Sequence, residues 1–266
     1  MAFFGLALPG YAFLRKRSPE SGWNLGGNVG TSVIQPLDLV VAGGYFLLFV
    51  VAWKNLPEAT AKTEEKEATV GSVLIGQAGM VVLAGIVPAV LVWRVDLREF
   101  FGLRWEGWRK VFWIAPAFVF AMMVLLSIQI ALGWQGWVES RFGSREQEAV
   151  SLLKESSDGV LLTVMTISAV VIAPLTEEVI FRGYLYPVVK RFSDRWFAAV
   201  FTGLIFAVIH FNIFSLPTLA VMGFVLAVLY EMTGSLWVTI ACHAAFNGTT
   251  VGVHLVPKIV EALSSS

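Results

Sequence analysis

The sequence has few charged residues and a single cysteine, and each shortage excludes a class of protein. Aspartate, glutamate, lysine and arginine make up 14% of the 266 residues, against about 25% in ordinary soluble domains. Because 57% of the residues are hydrophobic, we predict a polytopic membrane protein. The formal net charge of zero gives no reason to expect nucleic-acid binding. With Cys242 alone, internal disulfides and a cysteine-based metal cage are excluded.

Several common catalytic signatures are also absent from the sequence. It has no Gly-x-Ser-x-Gly nucleophile elbow, no His-Glu-x-x-His zinc helix and no paired aspartates within its apolar stretches. Cysteine chemistry would depend on Cys242, which we interpret as a small core residue. The N-terminus lacks basic residues before its first apolar run, so we expect no cleaved signal peptide. The chemistry that remains uses carboxylate, imidazole and amide groups.

Seven apolar stretches predict membrane spans and indicate an all-α transmembrane bundle of about seven to eight helices. They cover residues 37–53, 70–93, 111–132, 159–175, 196–211, 216–230 and 236–256. Spans five to seven are joined by very short turns, which favours antiparallel neighbours. Small residues four apart, Gly203 with Ala207 and Gly223 with Ala227, predict close helix packing. We divide the chain into an interfacial and linker segment (1–36), three spans with their connections (37–158), a catalytic core (159–256) and a tail (257–266).

Basic residues are distributed unevenly between the two sides of the predicted bundle. Leaving Arg182 aside, 11 lie on the side of the N-terminus and 7 on the opposite side. The positive-inside rule therefore places the N-terminus in the cytoplasm, and it predicts that the end of span four carrying Glu177 faces the same side. We expect an integral protein of the cytoplasmic membrane or of an endomembrane.

A cluster of charged residues follows the fourth apolar stretch. Each ionised group near a bilayer centre costs about 2.5–3.5 kcal/mol, so such groups are paired or functional. On a helix, Glu178 and Arg182 are four residues apart with the acid first, which is the favourable order for an ion pair. Glu177 is rotated by about 100° from its neighbour and is left unpaired. Glu177 is therefore the candidate for chemistry.

Three more polar groups lie within apolar spans: His210, His243 and Asn247. The last two are four residues apart, so both project from one face of the seventh span. His210 is about 14 residues into the fifth span, which puts it past mid-membrane and apart from the others. Structural roles stay open for all of these groups, since an ion pair, a histidine or an amide can simply hold helices together.

Other polar residues are assigned no catalytic role. Asp38 is near one end of its span, where it can reach lipid headgroups. His254 is expected at the membrane interface, and Gln77 and Gln129 are expected to form interhelical hydrogen bonds.

Three short motifs occur in order on successive spans, and together they resemble a known family. The motifs are Glu177-Glu178-x-x-x-Arg182, Phe206-x-x-x-His210 and His243-x-x-x-Asn247. They are similar to those of the type II CAAX prenyl endopeptidases, also called the CPBP or ABI family of intramembrane proteases. The resemblance covers roughly residues 159–250.

This resemblance implies a membrane-embedded endopeptidase that activates water. Glu177 would be the general base, and His210 would help to hold the water. His243 and Asn247 would stabilise the oxyanion. The remaining motif residues would support the site: Glu178, Arg182 and Phe206. The ring of Phe206 is expected to pack against His210.

Cofactor, substrate and activity stay open at this stage. We expect no cofactor, but a second interpretation uses zinc held by Glu177, Glu178, His210 and His243. It ranks second because Arg182 neutralises Glu178 and because adjacent glutamates on a helix diverge. The expected partners are the lipid bilayer and a peptide or lipidated-peptide substrate. Two other functions remain: a non-proteolytic immunity or scaffold protein of the same fold, and a proton or solute transporter.

Overall fold

A computed structural model describes residues 27–54, 69–142 and 148–264, and in these ranges the chain is helical without strands. The interfacial segment expected near the N-terminus lies largely outside them, as do the charged loop around 55–68 and the last two residues. The helices are α1 Pro36–Lys54, α2 Val70–Leu91, α3 Leu97–Phe100, α4 Val111–Ala131, α5 Trp134–Phe142, α6 Glu148–Glu155, α7 Gly159–Phe192, α8 Arg195–Val208, α9 Leu216–Thr233 and α10 Leu236–Ser264.

The protein is an integral membrane protein built as a polytopic helical bundle. Within the described residues, four stretches are long and apolar enough to cross a bilayer: Val70–Leu91, Trp108–Ala131, Gly159–Phe192 and Leu216–Thr233. The apolar helices Pro36–Ala52 and Arg195–Val208 are shorter. Large apolar side chains point outward from these helices, with Trp113 82% and Ile75 75% exposed. Such surfaces are compatible with lipid and not with water.

The fourth span is much longer than predicted. It was expected to end at 175, but α7 runs for 34 residues from Gly159 to Phe192. Two π-helical turns, Ser168–Ile172 and Phe181–Leu185, flank the glutamates. The first turn precedes Pro174, which has no N–H for the regular ladder. Turns of this kind are frequent at functional sites.

Helices α8 and α9 pack in close contact through glycine. A Cβ atom added to Gly203 would lie 2.6 Å from the backbone nitrogen of Phe224, and one added to Gly223 would lie 2.7 Å from the Cα atom of Gly203. Real Cβ atoms do not approach backbone this closely, so both positions require glycine. The close packing predicted from the small residues is confirmed for this pair.

Asp38 is fully buried, so the prediction that it reaches lipid headgroups is wrong. The Arg94 Nη1 atom lies 3.0 and 2.8 Å from its two carboxylate oxygens. The Tyr184 hydroxyl donates to Asp38 Oδ1 at 2.8 Å. A buried carboxylate needs such partners, because an isolated charge in the interior is very costly. The three groups join α1, the segment after α2, and α7.

A second buried ion pair lies at the end of α7. Lys190 Nζ is 2.8 Å from Glu231 Oε1 on α9 and also donates to the Val29 carbonyl at 2.9 Å. The Tyr186 hydroxyl donates to Glu231 Oε2 at 2.6 Å. These bonds attach the chain before α1 to the ends of α7 and α9.

Candidate active site

Glu177 and Glu178 are neighbours on α7, and their side chains have different surroundings. Glu178 is fully buried, whereas the side chain of Glu177 is 13% exposed and faces a cavity. Since successive helical residues differ by about 100°, the two carboxylates cannot share one environment. The divergence predicted from the sequence is observed.

Arg182 holds Glu178 in place, as the spacing predicted. Its Nη1 donates to Glu178 Oε1 at 2.8 Å, and its Nη2 donates to the carbonyl of Gly223 at 2.9 Å. The guanidinium also lies 4.8 Å from the centroid of the Phe206 ring. Arg182 is only 1% exposed, and a charge this deeply buried needs compensation. The ion pair, the carbonyl and the aromatic face provide it.

His243 lies between the two glutamates. Its Nδ1 is 2.9 Å from Glu178 Oε1, and its Nε2 is 3.9 Å from Glu177 Oε2. Because Glu178 is paired with Arg182 it is a carboxylate, which only accepts, and Nδ1 must therefore carry the proton. In the neutral ring Nε2 is then an acceptor that faces Glu177, and in the imidazolium it is a donor.

His210 reaches Glu177 from the turn after α8. Its Nδ1 is 2.7 Å from the carbonyl of Phe206, and its Nε2 is 3.9 Å from Glu177 Oε2. A carbonyl only accepts, so Nδ1 is the donor and Nε2 of the neutral ring is an acceptor. The Phe206 ring packs against both histidines, at 4.8 Å from His210 and 5.7 Å from His243. The expected packing of Phe206 on His210 is present.

The depth of His210 follows from the unexpected length of α7. Glu177 was predicted at the cytoplasmic end of its span, but it lies 15 residues before the end of α7, about 22 Å along the axis. A short turn joins the end of α7 to α8, and His210 lies 15 residues after the start of α8. Both groups are therefore at a similar depth, and the placement of Glu177 near a helix end is corrected.

Asn247 lies one turn beyond His243 on α10 and lines the same cavity. Its Nδ2 donates to the carbonyl of Ala169, in the first π turn of α7, at 2.9 Å. A carboxamide has two N–H donors, so this bond orients the amide and leaves a second donor. The position of Asn247 thus depends on the irregular turn of α7.

The cavity has a volume of about 910 Å³ and brings together the four residues singled out from the sequence, Glu177, His210, His243 and Asn247. It is also lined by His254 and Gln77, to which the sequence assigned no catalytic role. The interfacial position of His254 stays a prediction, whereas Gln77 Oε1 makes no interhelical bond with the described residues. The spacing of His254 from His243 puts both on nearly the same face of one helix, and this could have indicated that His254 lies near the site. For Gln77, on α2, no motif existed.

Two other interpretations of polar residues are confirmed. Gln129 on α4 accepts from the hydroxyl of Thr218 on α9 at 2.7 Å, which is the predicted interhelical bond. Cys242 is fully buried next to His243 and makes part of the core.

The four-residue zinc set does not fit the structure. Glu178 is fully buried and does not line the cavity, and its Oε1 already accepts from both Arg182 and His243. Within the described ranges, no group of three or more histidine, cysteine, aspartate or glutamate side chains has the arrangement of a metal site. We therefore derive no step through a metal.

Comparison with known proteins supports the motif assignment. Residues 159–249 match the model of a family described as "Type II CAAX prenyl endopeptidase Rce1-like". A curated relative, "Putative membrane peptidase YdiL" of Bacillus subtilis (strain 168), is 29% identical over 113 residues, which is 42% of this chain and 46% of the relative. The chain thus spans about half the length of that relative. No solved structure matches.

Proposed function

We propose that this protein is an intramembrane endopeptidase that hydrolyses peptide bonds of membrane-associated substrates with a water activated by Glu177. One observation carries the proposal. Two imidazole nitrogens face the carboxylate of Glu177 on α7. The Nε2 atoms of His210, in the turn after α8, and of His243, on α10, are each 3.9 Å from Glu177 Oε2. The match of 159–249 to the peptidase family supports it.

The arrangement suits general-base catalysis by Glu177. Its Oε2 is buried and has no hydrogen-bond partner in the described part of the chain, so it is available to a water. A separation of 3.9 Å is too long for a direct hydrogen bond, but catalytic hydrogen bonds are often long before substrate binds. We propose that one water donates its two O–H groups to Glu177 Oε2 and His210 Nε2. Its oxygen lone pair then faces the substrate carbonyl.

The proposed reaction follows from these positions. Glu177 takes a proton from the water while the oxygen attacks the carbonyl carbon. The C–N bond then breaks, and Glu177 returns the proton to the leaving amine, which balances the hydrolysis. General acid–base catalysis of this kind contributes about 10²–10⁴-fold.

Asn247 and His243 are the proposed stabilisers of the oxyanion. The free N–H of Asn247 is a donor in every protonation state. His243 donates through Nε2 only as the imidazolium, because its Nδ1 proton is directed to Glu178. Each donor in a dry site contributes about 2.7–4 kcal/mol to transition-state stabilisation. Glu178 would therefore support catalysis by balancing the charge of His243.

The orientation and substrate class are parts of the same proposal. The excess of basic residues on the N-terminal side supports a cytoplasmic N-terminus. The cavity extends from Glu177 toward the opposite end of the bundle, where it is lined by Ser72 at the start of α2 and by Gln135 of α5. We therefore propose that the site is reached from the side opposite the N-terminus, and the placement of its entrance on the cytoplasmic side is corrected. Membrane-associated polypeptides are the proposed substrates, and lipidated C-terminal tails of the kind that the matched family's description names are included in the test.

Incubation of the full-length protein with a peptide mixture, followed by mass spectrometry, tests the proposal. The peptides are a mixed-sequence library presented with and without a farnesylated cysteine. We expect new termini with the wild type and none with Glu177→Gln. Cleavage that persists in Glu177→Gln would contradict the mechanism. No cleavage by the wild type would contradict the enzyme assignment; flux in sealed vesicles would then indicate a transporter, and its absence a scaffold.

A further inference from the structure

The cavity extends well beyond the proposed reacting groups. Along α10 it is lined by His243, Asn247, Thr250, Val251 and His254, which share one helix face. His243 and His254 are eleven residues apart in sequence, or about 16 Å at the rise of an α-helix. An extended peptide rises about 3.3 Å per residue, so this length corresponds to about five substrate residues.

The walls of this extension are rich in hydrogen-bonding groups. Several come from helices outside the region 159–249 that matches the peptidase family. These lining side chains are Ser72 and Gln77 of α2 and Gln135 of α5. Thr218 and Ser215 add hydroxyl groups from the start of α9.

A purely structural role does not explain the position of Gln77. Its Oε1 atom is buried and makes no hydrogen bond with any described residue. A buried acceptor without a partner costs about 1–3 kcal/mol. Helix α2 packs against the part of α7 that carries Glu177, so Gln77 is held by a helix fixed to the catalytic one. A polar atom kept in this position is accounted for if it binds a ligand.

The chemistry of the walls distinguishes between ligand classes. The hydroxyls of Ser72, Thr218 and Thr250 already donate to acceptors of the protein. Gln77 Oε1, by contrast, has no partner among the described residues. A prenyl chain has no hydrogen-bonding groups and would leave this oxygen unpaired. An extended peptide backbone presents an N–H at each residue other than proline, and one of these can donate to Gln77 Oε1. The unpaired acceptor therefore favours polypeptide over lipid along this part of the cavity.

We propose that the extension from Asn247 to His254 binds an unlipidated, extended segment of the substrate, and that Gln77 Oε1 accepts a hydrogen bond from a backbone N–H of that segment. This inference rests on the proposed function, since it concerns the same cavity. It makes Gln77, supplied by the unmatched half of the chain, a substrate-positioning residue. A lipid on the substrate is not required for binding.

A binding measurement separates this inference from the catalytic proposal. The Glu177→Gln protein, in nanodiscs, is exposed to a mixed-sequence decapeptide library and to the same library carrying a farnesylated cysteine. The peptides retained are identified by mass spectrometry, and Kd is measured for the tightest one of each library. Gln77→Leu is added in the same background and removes the acceptor at similar volume. Gln35→Leu is the matched control, because Gln35 is exposed and does not line the cavity.

The expected results are specific. Unlipidated peptides bind with a Kd within about threefold of farnesylated ones. Gln77→Leu raises Kd about tenfold, the effect of one lost hydrogen bond, while Gln35→Leu leaves it unchanged. The peptides are also methylated at one backbone nitrogen at a time. Methylation at one position should weaken binding to the protein with Gln77 and should have no further effect on Gln77→Leu. A purely structural role of Gln77 would not produce this difference.

Two results would overturn the inference. One is binding that requires the farnesyl group. The other is an N-methyl series in which the Gln77 and Gln77→Leu proteins lose affinity in parallel. Neither depends on cleavage, so peptide binding without cleavage by the wild type would count against the proposed enzyme and leave this inference standing.

Discussion

Glu178 Oε1 lies 2.9 Å from Nδ1 of His243, and this hydrogen bond joins the buried Glu178 to the ring that faces Glu177. It fixes the tautomer of His243 and turns Nε2 toward Glu177. Of two adjacent carboxylates, one thus organises the site and the other is available for chemistry. The first predictions concern the organising residues.

Glu178→Gln should destabilise the protein strongly. The substitution leaves the Arg182 guanidinium, which is 1% exposed, without its counter-charge. Breaking a buried pair from one side costs about 3–5 kcal/mol. The free energy of unfolding in detergent micelles measures this effect, with the exposed Glu106→Gln as control. The double variant Glu178→Gln/Arg182→Gln should be more stable than the sum of the single changes; strict additivity would show that the pair is not coupled.

Gly203→Ala should separate α8 from α9. The added Cβ atom would meet the backbone nitrogen of Phe224 at 2.6 Å, and overpacking of this kind costs about 1–3 kcal/mol. Gly85→Ala is the matched control on α2, because its added Cβ has no contact within 4 Å with the described residues beyond its own helical turn. Thermal unfolding should show a loss for Gly203→Ala and none for Gly85→Ala. Equal midpoints would mean that the helices do not approach as described.

Tyr184→Phe should cost more stability than Tyr45→Phe. The Tyr184 hydroxyl donates to the carboxylate of Asp38, and the Tyr45 hydroxyl donates to the neutral carbonyl of Leu83 at 2.6 Å. Hydrogen bonds to charged groups contribute about 1.5–3 kcal/mol, and neutral ones about 0.5–1.5 kcal/mol. Chemical denaturation of the two variants compares them directly. The reverse order would contradict the assignment of Asp38 as a buried, ionised anchor.

Activity should survive removal of metal ions. Glu178 is occupied by Arg182 and His243, and the described side chains do not form a metal shell. We expect peptide cleavage to continue at the same rate after dialysis against a chelator. Element analysis of the purified protein accompanies the assay. A loss of activity that zinc restores would show that the metal interpretation was the correct one.

Much of the helical layout was predictable, because membrane spans have strong composition signals. The divergence of Glu177 from Glu178 and the pairing with Arg182 followed from helical geometry alone. The approach of Gly203 to Gly223 followed from the need for small residues where helices touch. In each case the interaction is local or depends on one repeated pattern.

The rest depends on contacts between distant segments. The burial of Asp38 could not be predicted, because it depends on Arg94, which lies 56 residues later and folds back onto it. The depth of Glu177 was misjudged because the charged cluster was taken as the end of a span, whereas α7 continues for 15 residues beyond Glu177. The cavity position of Gln77 could not be predicted, since an isolated glutamine in an apolar helix has no distinguishing spacing.

The most direct test of the account is the single-turnover rate of peptide cleavage by Glu177→Gln compared with the wild type, with the unfolding midpoint measured on the same samples. We expect the rate to fall by about 10³-fold or more, because the general base is lost, with the midpoint unchanged. A Glu177→Gln protein that stays folded and cleaves at the wild-type rate would contradict the central claim that this carboxylate activates the water.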